Sequence, residues 1–546
     1  MQERKDYNAW LPLAIAVSLV AGVVLGIFMG NPFSSKNHST QSDRKLNTIL
    51  NLISQEYVED TVKTNDLIEM AIPSLLANLD PHSTYLTARE LAAAQEELGG
   101  SFSGIGVSFQ MMNDTIVVLE VIPGGPSDKA GLMPGDKIVT IEDSSWVGPQ
   151  VDAGKVREKL RGEKNTKVKV GIAREGSSKL LSFVITRGDI PLNSVDSYYM
   201  IDDATGYVKV SQFGRNTYTE FINALKSLKN EGAKRFMVDL RGNGGGYLEI
   251  AIIMINEFLP TGRLIVSTKG RYRRDETTAY SDGTGQFQDE ELVVLIDEFS
   301  ASASEIFAGA IQDNDRGLVV GCRSFGKGLV QKQFDLPDKS ALRLTIAKYY
   351  TPSGRCIQKP YGKGENAYNK DIFDRYSNGE IYSKDSIKID TTKIFKTTTG
   401  RKVYGGGGII PDIFVARDTS SYSAYYAQVI AAGLIQEYAL KYVTEHRAEL
   451  SKMKDYKQLL RNLPANEDLL NDFVAHAANK GTPAKWHYIR QSQDLITSII
   501  KGLIARDIFG QRAYYPIVNR NDKTIEAAIK ALNKHKAAFP ITNNRF

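Results

Sequence analysis

The spacing of apolar positions changes several times along the chain, and each change marks a boundary. From Leu11 to Met29 there are 19 residues without a charge, enough to span a bilayer core of roughly 30 Å as a helix. Pro12 falls in the first turn of that run, where proline is tolerated. Gly30-Asn31-Pro32-Phe33 makes a poor cleavage site, so the run reads as an uncleaved anchor rather than a signal peptide. Residues 1–30 are therefore the expected membrane anchor, and the polar, Ser-rich 31–44 a tether. In 45–97, Leu46, Ile49, Leu50 and Ile53 recur at helical spacing, as do Leu67, Ala71, Leu75 and Leu76, until Asp80-Pro81 breaks the pattern.

Residues 98–188 differ. Short apolar runs (Gly106–Phe109, Ile116–Val121, Lys137–Ile141, Val168–Ile172, Leu180–Ile185) are separated by Gly/Pro turns, which predicts a small β-rich domain. From about residue 205, strand-like and helix-like stretches alternate. Strands are expected at Gly206–Phe213, Arg235–Leu240, Leu264–Ser267, Leu292–Ile296, Leu318–Gly321 and Leu342–Tyr349, and helices at Tyr218–Leu228, Leu248–Phe258 and Ala303–Ile311. The alternation predicts an α/β core with a largely parallel sheet over 189–415, interrupted by a polar insertion at 361–404. Residues 416–546 return to a helical pattern.

Composition narrows the chemistry. There are 68 Lys+Arg against 63 Asp+Glu, a net charge of +5 spread over 546 residues. No basic block is concentrated anywhere, which argues against nucleic acid as partner. Two cysteines, Cys322 and Cys356, supply neither a disulfide framework nor a Cys-based zinc site. Of the six histidines none lies between residues 83 and 445. A Ser-His-Asp triad and a histidine-rich metal site are therefore both disfavoured, and acid–base work in the core falls to Lys, Tyr or carboxylates. No metal and no cofactor are expected.

Three loops carry candidate chemistry. Ser300-Ala-Ser-Ala-Ser-Glu305 opens a helix at the C-terminal edge of a strand, where α/β sites are built. The Ser302 hydroxyl is placed there to attack a carbonyl, with the Ala303 N–H facing the resulting oxyanion. Ser302 and Glu305 fit a capping box equally well, so both readings stand. Asp239-Leu-Arg-Gly-Asn-Gly-Gly-Gly246 brings bare backbone toward a ligand or simply makes a tight strand-to-helix turn; it fails the dinucleotide pattern because Tyr247 stands where a glycine is needed. Gly321-Cys-Arg-Ser-Phe-Gly-Lys327-Gly328 nearly spells a phosphate-binding loop. Gly328 replaces the metal-binding hydroxyl, and the sequence after it looks like strand. Ser324 and Lys327 also form an S-x-x-K, without its usual partner motifs. What remains is a lysine able to act as a base if burial lowers its pKa.

Taken together, these loops resemble the C-terminal processing peptidases, or tail-specific proteases. So do Leu79-Asp-Pro-His-Ser-Thr-Tyr-Leu86, Tyr349-Tyr-Thr-Pro-Ser-Gly-Arg355 and Gly408-Ile-Ile-Pro-Asp412. The motifs run in order from about residue 45 to 415. The resemblance implies an α/β core similar to the crotonase fold with an inserted PDZ domain. It implies Ser302 as nucleophile, Lys327 as general base, Gln331 orienting that base, and Glu305 in support. The oxyanion donors it implies are the N–H of Ala303 and of Gly245 or Gly246. Ser103-Gly-Ile-Gly-Val107 resembles a carboxylate-binding loop, so Ser103, Gly104, Ile105, Gly106 and Val107 are expected to hold a substrate tail. The protein implied is a membrane-anchored serine endopeptidase, single-pass in the inner membrane with its catalytic part in the periplasm, acting on proteins with apolar C-terminal tails. Oligomerisation is left open. A non-catalytic PDZ scaffold is the alternative.

Overall fold

The computed structural model describes residues 41–534 except 60, 113 and 363. The expected anchor Leu11–Met29 lies outside the described residues; among those described, no helix is long and apolar enough to cross a membrane. The chain divides into two units, residues 1–75 and 76–546. In the first, helices Gln41–Glu56 and Thr64–Leu76 follow the helical spacing, with Leu46, Ile49 and Leu52 exposed.

In the second unit, residues 107–186 form an antiparallel sheet in the order Val107–Met112, Thr115–Val121, Lys137–Ile141, Lys167–Ala173, Leu181–Thr186. Alternate residues such as Ile116 and Val118, or Val168, Val170 and Ile172, bury one face, as the period of two requires. Helix Ala153–Leu160 packs Val156 and Leu160 into the same core and is capped by Asp152, which accepts from the Lys155 N–H at 2.9 Å.

The α/β core is a six-stranded sheet in the order Val195–Met200, Thr205–Val210, Arg235–Asp239, Glu291–Ile296, Leu318–Gly321, Ile413–Phe414. Only the first pairing is antiparallel. Helices Thr217–Asn230, Leu248–Asn256 and Ala303–Asp313 bury one face, through Phe221, Leu225, Ile255 and Phe307 among others. The opposite face presents Tyr207, Met237, Val293, Leu295 and Val320 to Ile525, Ala528 and Leu532 of the helix Lys523–Lys534. Burial on both faces is what a parallel sheet needs, because its strands are apolar throughout.

The strands near 264 and 342 do not join that sheet. Leu264–Gly270 and Ala341–Tyr350 pair antiparallel with each other in a second sheet, with Thr84–Leu86, Thr278–Tyr280 and Leu329–Asp335. An apolar run states that a strand forms, not which sheet receives it. The insertion folds into a helix, Glu365–Ser377, and a small hairpin, Ile394–Lys396 with Lys402–Tyr404.

Helices between Ala424 and Phe509 gather around Tyr425, Tyr438, Phe473, Ile496 and Ile500. This helical domain touches both neighbours. Leu440 is buried against Val117 and Leu119 of the β-rich domain, and Arg447 donates to the Pro134 carbonyl at 3.2 Å. Tyr515 donates to Asp196 at 2.7 Å and Arg512 to the Tyr198 carbonyl at 2.8 Å, both on the edge strand of the core.

Candidate active site

Ser302 stands where the strand Glu291–Ile296 turns into the helix Ala303–Asp313, with φ 57° and ψ −114°. A non-glycine residue in that region costs on the order of 1–3 kcal/mol, so its surroundings must hold it. Glu305 Oε2 accepts the Ser302 N–H at 3.0 Å, and the Ser302 carbonyl accepts from the N–H groups of Glu305 and Ile306 at 2.9 and 3.0 Å. The glycine loop presses from the other side. A Cβ on Gly245 would lie 2.8 Å from Ser302 Cβ and 2.9 Å from the Ala301 carbonyl, and Gly245 itself has φ +107°. Space and backbone conformation therefore both demand glycine there.

Asn243 ties the two loops together. Its side chain accepts the Gly245 N–H at 2.8 Å and donates to the Val210 carbonyl at 3.1 Å. Its carbonyl accepts from the Ala301 N–H at 3.0 Å and from Ser304 Oγ at 2.9 Å. The Gly245 N–H is thus already engaged, whereas those of Gly246 and Ala303 meet no acceptor among the described residues. At the base of the loop, Asp239 accepts from Tyr207 at 2.7 Å and from Arg241 at 2.6 Å. Burial works against that carboxylate, but Arg241 and Lys209 overcome it and hold its pKa well below the ordinary value.

Glu305 joins the serine to the lysine. It is fully buried and takes four donors: Ser302 N–H, Lys327 N–H at 2.8 Å, Gly326 N–H at 2.7 Å and Ser324 Oγ at 2.5 Å. Burial pushes its pKa up, and the hydrogen bonds oppose the shift. This arrangement excludes the phosphate-loop reading on physical grounds. The N–H groups that would cradle a phosphate already face a carboxylate, and the next element is the strand Leu329–Asp335 rather than a helix. Ser324 is no free nucleophile either, since its hydroxyl also accepts the Ile409 N–H at 2.6 Å.

Lys327 Nζ donates to Gln331 Oε1 at 3.1 Å, and the Gln331 amide donates to the His82 carbonyl. Burial lowers the Lys327 pKa, with Glu305 pulling the other way. No hydrogen bond joins Lys327 Nζ to Ser302 Oγ among the described residues. Buried Tyr349 donates its hydroxyl to the Lys327 backbone carbonyl and also meets the Ser302 side chain.

Several participants carried no assigned role in the sequence. His82 lies within electrostatic reach of Lys327; burial and that lysine together press its pKa down to about 4, so the imidazole stays neutral. Its Nε2 meets the Tyr368 hydroxyl at 2.7 Å. Asp80 fixes the segment by accepting from the His82 and Ser83 N–H groups at 2.9 Å and from Thr345 at 3.0 Å. Arg375, from the insertion, donates to the carbonyls of Ser324 and Phe325 at 2.8 and 3.0 Å. The signal for His82 and Tyr349 was present, since both lie in stretches that carried the resemblance. Arg375 had none.

In the β-rich domain, Ile105, Gly106 and Val107 line a cavity of about 180 Å³ together with Phe109 and Leu160. Gly106 has φ +76°, and the N–H groups of Ile105 and Gly106 meet no acceptor among the described residues. Ser103 and Gly104 lie in the strand Ser101–Gly104, paired with Asp189 and Gly188, and do not line the cavity.

Much of the chain is similar to known proteins. Peptidase family S41 matches residues 204–366. A carboxy-terminal-processing protease of Bartonella bacilliformis is 35% identical over 348 residues, 61% of this chain and 79% of that protein. The chain belongs to this family of proteases. A carboxyl-terminal-processing protease of Synechocystis is 32% identical over 371 residues, covering 63% of this chain and 84% of its own length. Among solved structures, a photosystem II D1 C-terminal processing protease is 25% identical, covers 70% of this chain and 95% of its own, and has a TM-score of 0.35. A PDZ domain matches residues 103–184, and a family of unknown function matches 425–510. The protein is thus a PDZ-containing serine endopeptidase of the C-terminal processing family.

Proposed function

We propose that Ser302 is the nucleophile and Lys327 the general base of this protease, and that the PDZ domain selects substrates by their C-terminal tails. The observation that supports the pairing best is the carboxylate of Glu305, which holds the backbone N–H of both residues at 3.0 and 2.8 Å. In the reaction, the neutral Lys327 amine takes the Ser302 proton as Oγ adds to the scissile carbonyl, and returns it to the departing amine. Ala303 and Gly246 N–H groups stabilise the oxyanion; Gly245 serves by shape. Water then cleaves the acyl-enzyme by the same steps in reverse roles. Gln331 keeps the lysine aimed.

The tail's carboxylate is received by the N–H groups of Ile105 and Gly106, with an apolar last side chain in the cavity beneath. The uncharged run Leu11–Met29 anchors the protein in the inner membrane with its catalytic part in the periplasm. Protease added to spheroplasts should then degrade it; full protection until the inner membrane is lysed would overturn the placement. For the chemistry, Ser302→Ala and Lys327→Ala should each abolish cleavage of a flexible protein substrate while circular dichroism shows an unchanged fold. The double variant should be little worse than either, because members of one catalytic unit are not additive.

A further inference from the structure

The tail groove carries a charge that its apolar floor does not explain. Its lip is formed by the helix Ala153–Leu160, and the cavity is lined by Arg157 and Arg161 as well as Leu160. Arg161 is engaged: it pairs with Glu96 at 2.7 Å and lies over the Phe102 ring at 4.2 Å. The neighbouring Glu158 is held by Arg89 at 2.5 Å. Arg157 is exposed and takes part in no ion pair among the described residues.

The direction of a bound tail follows from the geometry. The free N–H groups of Ile105 and Gly106 precede the strand Val107–Met112. A peptide whose carboxylate sits on them must run antiparallel to that strand, its chain passing from Phe109 toward Val107. The C-terminal end of the helix faces the carboxylate end of the groove, because Arg161 stacks on Phe102 and Gly162 N–H donates to the Ser103 carbonyl at 3.5 Å. Leu160 therefore lies above the last side chain of the tail. Arg157 is one turn back, roughly 4.5 Å along the helix axis. Side chains on an added strand alternate, so the next one facing the helix belongs to the third residue from the end, roughly 6.6 Å away.

We infer that Arg157 makes the third-last position of the substrate tail a selector for acidic side chains, so that favoured tails end in acidic–any–apolar. The inference rests on the tail-reading role proposed above. The contact is exposed at the lip, so its effect is graded rather than absolute.

The test uses the full chain carrying Ser302→Ala, so that peptides are bound and not cut. Labelled ten-residue peptides ending in an apolar residue carry Glu, Gln or Lys at the third-last position, each as free acid and as amide. Binding is read by fluorescence anisotropy. Glu should bind about five-fold more tightly than Lys, with Gln between, and the spread should shrink in 0.5 M salt. The same exchange at the next-to-last position, which points away from the helix, should change little. Arg157→Gln should erase the Glu–Lys difference and Arg157→Glu should invert it. A preference that persists in both variants overturns the assignment, as does equal binding of Glu and Lys tails by a protein that still prefers acid to amide. Equal binding of acid and amide throughout would instead remove the tail-reading role on which the inference stands.

Discussion

The junction around Glu305 and the groove around Gly106 are built on opposite plans. At the junction, one buried carboxylate meets four donors, and the backbone of both candidate catalytic residues is fixed before any substrate arrives. In the groove, backbone N–H groups are left open and the lining side chains include exposed Arg157. Bond making requires atoms held to fractions of an ångström, and a fully matched buried network supplies that. Tail reading requires unmatched groups that a ligand completes. Substitution of Glu305, which holds the network, should therefore act on turnover and folding together, loss of the Ser302 or Lys327 side chain on turnover, and changes in the groove on substrate choice alone.

The largest expected effect tests the first half of that contrast. Lys327→Ala should lower kcat/KM by at least about a thousandfold. In the unaltered enzyme, activity should climb as the ammonium loses its proton, with a midpoint below the ordinary lysine value of 10.5 because the side chain is buried. Ordinary turnover by Lys327→Ala would defeat the assignment.

Glu305→Gln comes next. The new amide must present an N–H where a donor already points, so the fold should lose about 3 kcal/mol, read by denaturant titration. The sign of the pH effect follows from charge. Glu305 now favours the protonated lysine, so removing its charge lowers the Lys327 pKa further. The acid limb of the rate profile should shift to lower pH under a reduced ceiling. An unshifted limb would show that the carboxylate does not reach the lysine electrostatically.

Gln331→Ala frees Lys327 Nζ without exposing a charge. It should cost roughly tenfold in kcat with little change in KM or stability. A change confined to KM would place Gln331 in substrate binding.

The smallest effect probes the groove. Converting a substrate's terminal carboxylate to its amide should weaken recognition about tenfold, seen as slower cleavage at a distant internal site. The scissile chemistry and melting temperature should stay the same. Equal rates would leave the junction intact and remove the groove from substrate choice.

What could be read from the sequence followed the range of the forces involved. Local patterning placed Lys137–Ile141 and Leu318–Gly321 with their observed ends, since alternation and turn residues act within a few positions. It could not say that Leu264–Gly270 and Ala341–Tyr350 leave the parallel sheet, because pairing is decided between distant segments. The candidate site divides in the same way. Ser302, Glu305 and Lys327 lie in compact motifs and come together at one sheet edge. The His82 carbonyl that steadies Gln331 lies 249 residues away in sequence. Arg375 sits in the polar insertion, outside every motif, yet it is buried against the carbonyls beside Lys327. The open N–H of the glycine pair likewise depends on Asn243 having captured Gly245, which no spacing rule states.

The helix Lys523–Lys534 lies far beyond the protease match at 204–366, yet its Ile525, Ala528 and Leu532 pack on the face of the central sheet that carries Tyr207, Met237, Val293, Leu295 and Val320. A gene shortened to the recognisable protease would therefore encode a sheet with Tyr207, Met237, Val293 and Leu295 facing water, beside an edge strand stripped of its Tyr515 and Arg512 partners. Apolar faces of that kind associate with one another rather than remain apart. The last part of the chain is thus a condition for the central sheet to keep its apolar face covered, and the natural unit for expression, crystallisation or evolutionary shuffling runs through to that helix.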